Sequence, residues 1–185
     1  MAINAPAAPH DPRVISGALS DAGDAPPPAD LVIDVRNAVV RRGRKEIFRG
    51  SWQVAEDERW VVLGPNGAGK STLLQLVAAR SHPTSGSVWL LGKRMGRIDV
   101  FELRPRIGFA SAALAQDIPN DEKVIDCVLT AAYGITGRWR EQYDELDQVR
   151  ALELLHAFGV GELAQRTYGT LSTGEQKRVA IARAL

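Results

Sequence analysis

The chain has 185 residues, a single cysteine and a formal net charge of +1, with 45% apolar and 24% charged residues. That length suits one domain, and the near-neutral charge gives no global attraction to nucleic acid or to an anionic membrane. The lone Cys127 excludes an internal disulfide and fits a reducing compartment, and no run approaches the ~20 apolar residues of a membrane-spanning helix.

Residues 1–29 are rich in Ala and Pro and include Pro26-Pro27-Pro28, which neither a helix nor a central strand accepts. They read as a disordered tail, with no apolar run long enough for a signal peptide. Residues 30–185 then read as one domain. Leu31–Val40 and Glu46–Ala55 are β-rich and flank a turn at Gly43, as in an antiparallel pair. The basic run Arg41-Arg42-Gly43-Arg44-Lys45 reads as its solvated tip. Arg59–Leu63 (RWVVL) is a short buried-strand pattern, followed at once by a glycine-rich turn. Lys70–Arg80 follows as a helix with Leu73, Leu74, Leu76 and Val77 on its apolar face.

Farther along, Gly86–Leu91 and Ile107–Ala110 read as strands. From Asn120 the texture becomes helical: Asn120 and Asp121 are candidate caps for a helix over about 122–133 that ends at Gly134. A second helix from about Tyr143 carries Leu146, Val149, Leu152, Leu155 and Phe158 and stops at Gly159. The predicted fold class is α/β, a P-loop core with an N-terminal antiparallel β-subdomain and an inserted helical subdomain over about 120–180.

Gly64 to Thr72, GPNGAGKST, satisfies G-x-x-x-x-G-K-[ST] at Gly64, Gly69, Lys70 and Ser71, between a predicted strand and a predicted helix. Glycines let successive backbone N–H groups turn inward toward phosphate oxygens, and the following helix directs its positive dipole end at the same anion. Gly64, Pro65, Asn66, Gly67, Ala68 and Gly69 form the cradle. Lys70 is the candidate for the β- and γ-phosphates, Ser71 for Mg²⁺, and Thr72 for a phosphate contact through its N–H. The loop makes a nucleotide's phosphates and Mg²⁺ the expected ligands, without choosing among kinases, GTPases and motor-type ATPases; ATP as the cofactor follows only from the resemblance carried by the C-terminal segment.

At the other end, Leu171 to Leu185 reads LSTGEQKRVAIARAL. Ser172-Thr173-Gly174-Glu175 has the S-x-x-E form of a capping box, so Ser172 is expected to cap a helix running to Leu185. Gly174 leaves the first turn bare toward an external anion. This segment resembles the LSGGQ signature of ABC-type ATPases, and WVVLGPNGAGKSTLL and the position of the helical insert agree with that family. The resemblance covers about Leu31 to Leu185.

It implies that Ser172, Gly174 and Glu175 bind the γ-phosphate of ATP held by a second subunit, two cassettes facing head to tail. It also implies a separate transmembrane permease, a cytoplasmic location at the inner membrane face, and ATP hydrolysis as the activity, with no nucleic-acid partner. The sequence departs from the family pattern at several places. Thr173 and Glu175 replace a glycine and a glutamine. Ala112 stands where the family has a Mg²⁺-binding glutamine, which leaves Gln116, four residues on, as the candidate metal ligand. Arg41 or Arg42 stands where an aromatic stacks on adenine.

The family's Asp-Glu strand and switch histidine lie after the signature helix, so no catalytic residue is expected within these 185 residues. The chain reads as the N-terminal part of a longer subunit whose sheet here has an exposed apolar edge. Asp34 and Asp126 follow apolar residues but precede the glycine loop or start the helical insert, and His10, His82 and His156 are misplaced for the switch. The alternatives are a non-hydrolysing nucleotide-binding fragment and a soluble non-transport ABC protein. The chain has no Asn-Lys dipeptide and no D-x-x-G, which argues against a GTPase.

Overall fold

A computed structural model describes residues 2–4, 25–137 and 143–185, with side chains from residue 25 onward. These residues form two compact units, Met1–Leu103 and Arg104–Leu185.

In the first unit, strands β2 (Leu31–Arg42) and β3 (Lys45–Ala55) form the expected antiparallel hairpin. Its two-residue tip needs a glycine, since Gly43 has φ +59°. Strand β5 (Ser85–Leu90) pairs antiparallel on the other edge of β2, and the short β6 (Lys93–Arg94) completes the order β3-β2-β5-β6. Val35, Ala38, Phe48, Trp52, Val88 and Leu90 bury one face of this sheet. β2 is bulged between Val35 and Ala38, where Asn37 adopts φ +46° and its N–H donates to Ser51 Oγ at 2.8 Å.

Strand β4 (Trp60–Val62) lies outside that sheet and runs into the glycine loop. It pairs antiparallel with β1 (Ala2–Asn4), Ile3 opposite Val61. The tail expected to be disordered thus contributes a strand, because the backbone groups of β4 require ladder partners and an extended segment supplies them on one side. Most of the remaining tail, residues 5–24, lies outside the described residues. Among the described strands β1 is the only partner of β4, and Val61 and Leu63 stay about half exposed. Helix α1 (Lys70–Val77) buries Leu73, Leu76 and Val77, while Leu74, expected on the apolar face, points to solvent. A four-residue helix, α2 (Val100–Leu103), closes the unit.

The named elements of the second unit are all helices or 3₁₀ turns among its described residues. It begins earlier than residue 120 because α3 (Ala112–Gln116) packs against α6 (Thr173–Ala182). Ile107–Ala110 is not a strand: among the described residues nothing pairs with it, and Gly108 instead lies so close to the Ala184 carbonyl that a Cβ would come within 2.0 Å of it.

The next helix, α4 (Val124–Leu129), is not capped by Asn120 or Asp121. Its first N–H groups donate to backbone carbonyls instead, Val124 to Arg166 at 3.0 Å and Ile125 to Ala164 at 3.0 Å, beside a bridge between Lys123 and Thr167. A 3₁₀ turn over Thr130–Tyr133 then ends at Gly134 with φ +66°, the expected stop. Helix α5 (Glu145–Ala157) starts with a capping box between Asp144 and Asp147. It buries Ala151 and Leu155, but Leu146 and Val149 of the predicted stripe are exposed. Cys127, Leu155, Val160, Tyr168 and Val179 meet in the core. Burial pushes the Cys127 thiol up to about 12, so it is a packing residue rather than a nucleophile at neutral pH. Among the described residues no helix is long and apolar enough to cross a membrane.

Candidate functional site

The glycine loop connects β4 to α1 and occupies the first unit alone. Gly64, Pro65, Asn66, Gly67 and Ala68 are exposed and Gly69 is buried. The turn depends on glycine at two positions with positive φ, Gly67 at +83° and Gly69 at +86°. Gly69 is constrained twice, since a Cβ there would approach the Ile47 carbonyl oxygen of β3 to 2.6 Å. It is also the N-cap of α1, and no side chain caps that helix. The first N–H groups of a helix have no partner within it, so the start of α1 presents donors and the positive dipole end to the loop.

Lys70 is half-buried, and its Nζ folds back over the loop to donate to the carbonyls of Gly64 and Pro65, 2.7 Å each. That holds the ammonium against the segment the sequence marks as a phosphate cradle. Ser71 is exposed on the first turn of α1 and Thr72 is partly buried beside it. The uncapped helix start, the left-handed glycines and the ammonium form a donor set that could hold a polyphosphate, and the exposed hydroxyl of Ser71 could ligate a cation bound to it. A cleft of about 250 Å³ adjoins the loop, with Ala68, Gly69 and Lys70 on one side and Glu46, Ile47 and Arg49 of β3 on the other. The sequence reading missed this β3 wall. Its only signal is the contact between Gly69 and Ile47, which no local pattern encodes.

The signature residues start α6 in the second unit. Ser172 is the N-cap, and both arms of the predicted capping box are present. Its Oγ accepts from the Glu175 N–H at 3.4 Å, while Glu175 Oε2 accepts from the Ser172 N–H and hydroxyl, each at 2.7 Å. The hydrogen bonds from Ser172 hold the Glu175 carboxyl below its usual range. Glu175 is therefore engaged at the cap, in the capping box that the S-x-x-E spacing predicts. Gly174 is exposed with nothing within 4 Å of where a Cβ would stand. The helix ends at Ala182 rather than Leu185, and Arg183 turns inward, buried, with Nη2 donating to the Ile135 carbonyl.

The remaining candidates are scattered. Gln116 is exposed at the end of α3 in the second unit, and Ala112 begins that helix. Arg41 and Arg42 are exposed at the end of β2, Arg41 facing Glu46 at 3.7 Å. Asp34 is fully buried on β2, accepting from Arg36 Nε at 2.8 Å and Gln53 at 3.2 Å, and Asp126 is buried within α4. Both are placed as structural residues. His82 lies in the turn between α1 and β5 and His156 near the end of α5, while His10 lies outside the described residues.

A β-subdomain joined to a strand, phosphate-type loop and helix defines a P-loop NTPase cassette, and comparison with known structures agrees. The chain superposes on a nucleotide-free ATP-binding cassette from an ABC transporter with TM-score 0.60 at 22% identity, covering 84% of this chain and 64% of that one. On a dimeric bacterial ABC transporter cassette the TM-score is 0.61 at 25% identity, covering 83% and 68%. The family model for the ABC transporter matches residues 48–185, and the chain belongs to that family. It is 38% identical over 157 residues to the uncharacterized ABC transporter ATP-binding protein YlmA of Bacillus subtilis, covering 84% of this chain and 59% of that protein. It is 34% identical to a putative ABC transporter ATP-binding protein of Streptococcus mutans, covering 83% and 59%. The chain thus spans about three fifths of the length of these relatives.

Proposed function

We propose that the chain is the ATP-binding portion of an ABC transporter subunit. It holds MgATP in the loop from Gly64 to Thr72, with Lys70 on the terminal phosphates and Ser71 on Mg²⁺. The observation that carries this reading is the start of α1: a left-handed Gly69 with no capping side chain, next to an ammonium folded onto the loop. Ser172, Gly174 and Glu175 lie at the start of α6, where Ser172 and Gly174 are exposed, and their role is to face the loop of another copy, so that ATP is shared head to tail between two cassettes. ATP hydrolysis by the whole subunit, and transmission of ATP-driven closure to a separate membrane-embedded partner at the inner membrane face, complete the proposal.

The test is calorimetric titration of the chain and of Lys70→Ala with MgATP. Saturable binding that Lys70→Ala weakens by roughly 30-fold or more supports the reading. Absent binding, or equal binding by both proteins, rejects it.

A further inference from the structure

Two helices of the second unit start with a capping box, and the two boxes are weighted differently. At α5 the cap is the short arm: Asp147 N–H donates to Asp144 Oδ1 at 2.8 Å, and Asp144 N–H donates back to Asp147 Oδ2 at 3.3 Å. At α6 the order is reversed. The N–H and the hydroxyl of Ser172 both donate to the same Glu175 oxygen at 2.7 Å, while the Glu175 N–H reaches Ser172 Oγ only at 3.4 Å, beyond the usual range. A serine hydroxyl has one proton to donate. Capping uses that oxygen as an acceptor and leaves the proton over, so the hydroxyl's bond to Glu175 is not one the cap requires.

On the reading that the start of α6 faces phosphates held by another copy, that proton is what Ser172 has to offer them. Building on that reading, we propose that Glu175 is an autoinhibitory latch: its carboxylate occupies the Ser172 donors in the isolated chain, and two copies associate only where the phosphate displaces it. Glu175 is also a place where the sequence departs from the family pattern, a carboxylate in place of an amide. The hydrogen bonds from Ser172 hold this carboxyl below its usual range, so it is ionised at neutral pH and repels a phosphate approaching the helix start. The N–H groups of Thr173 and Gly174 stay outside the box, and Gly174 has nothing within 4 Å of where a Cβ would stand, so the approach is open there. The obstacle is the carboxylate. Once displaced, it remains beside Arg178, three residues on along the helix, whose guanidinium and that of Arg166 already attract it.

The experiment measures by sedimentation the association of the full chain, Glu175→Gln, Ser172→Ala and the double variant, at MgATP concentrations that saturate the glycine loop. Glu175→Gln keeps the side chain's length and an oxygen for the Ser172 N–H but removes the charge, and it should associate about tenfold more tightly than wild type. Its melting temperature as an isolated copy should fall at the same time, because an anion stabilises a helix start. A purely structural Glu175 would lower association along with melting temperature. On the Ser172→Ala background the same substitution should gain about twofold or less, since no hydroxyl remains to be released. An undiminished gain there would reduce Glu175 to a repelling charge and overturn the latch. Equal or weaker association of Glu175→Gln also overturns it and leaves the head-to-tail reading intact. No association by any of these proteins with MgATP bound removes the head-to-tail reading and the latch with it.

Discussion

The two glycine-bearing helix starts, α1 and α6, answer the same physical problem in opposite ways. Both present N–H groups that their helix cannot satisfy. At α1 the N-cap is Gly69 in a left-handed conformation with no side-chain cap, and the ammonium of Lys70 folds onto the loop that precedes it. At α6 the N-cap is Ser172, and Glu175 closes a full capping box. The first start leaves its donors without a side-chain cap and lies close against the Ile47 carbonyl of the neighbouring strand. The second satisfies donors with its own side chains and stands stable without a ligand. A glycine near a helix start therefore leaves different donors open in the two cases: α1 has no side-chain cap at all, whereas the capping box of α6 takes the N–H groups of Ser172 and Glu175.

The sharpest way to break this contrast is Gly69→Ala. The φ of +86° and the Ile47 oxygen 2.6 Å from the would-be Cβ leave no accommodating shift. The expected cost is about 3 kcal/mol or more, read as the loss of denaturation midpoint, together with loss of MgATP binding. Lys70→Ala should remove ~2 kcal/mol of MgATP affinity, because a charge-assisted contact is lost, while leaving the thermal midpoint nearly unchanged. At the other start the pattern reverses. Ser172→Ala should cost ~1 kcal/mol of stability, measured by chemical denaturation, and leave MgATP binding by a single copy untouched.

The smallest effect is a pH dependence confined to α6. The folded Glu175 carboxyl lies below its ordinary 4.5 because Ser172 donates to it. Its contribution is thus present above the unfolded value and is lost as pH falls through the lower folded value. Melting temperatures measured from pH 6 down to pH 3 should drop more steeply for wild type than for Glu175→Gln.

Much of this contrast was legible in the sequence. The glycine loop was, because its spacing and the strand before it are local features, and so was the capping box, since Ser172 and Glu175 are three residues apart. The hairpin was readable from its alternation and from Gly43. Long-range partners were not. Ile107–Ala110 has the composition of a strand but no strand to pair with among the described residues. The start of α4 takes its caps from carbonyls some forty residues away, so Asn120 and Asp121 were plausible and wrong. The Glu46 and Arg49 wall depends on a one-residue bulge at Ile47, and composition does not announce a bulge. Leu146 and Val149 kept helical spacing yet remained exposed, since periodicity identifies a face without saying what covers it.

Hydrogen exchange of backbone amides with and without MgATP, at several protein concentrations, tests the central contrast most directly. The account predicts that ATP protects residues 64–73 at every concentration at which it binds, and residues 172–176 only where two copies associate. Protection of residues 172–176 in an isolated copy, with none at residues 64–73, would contradict it.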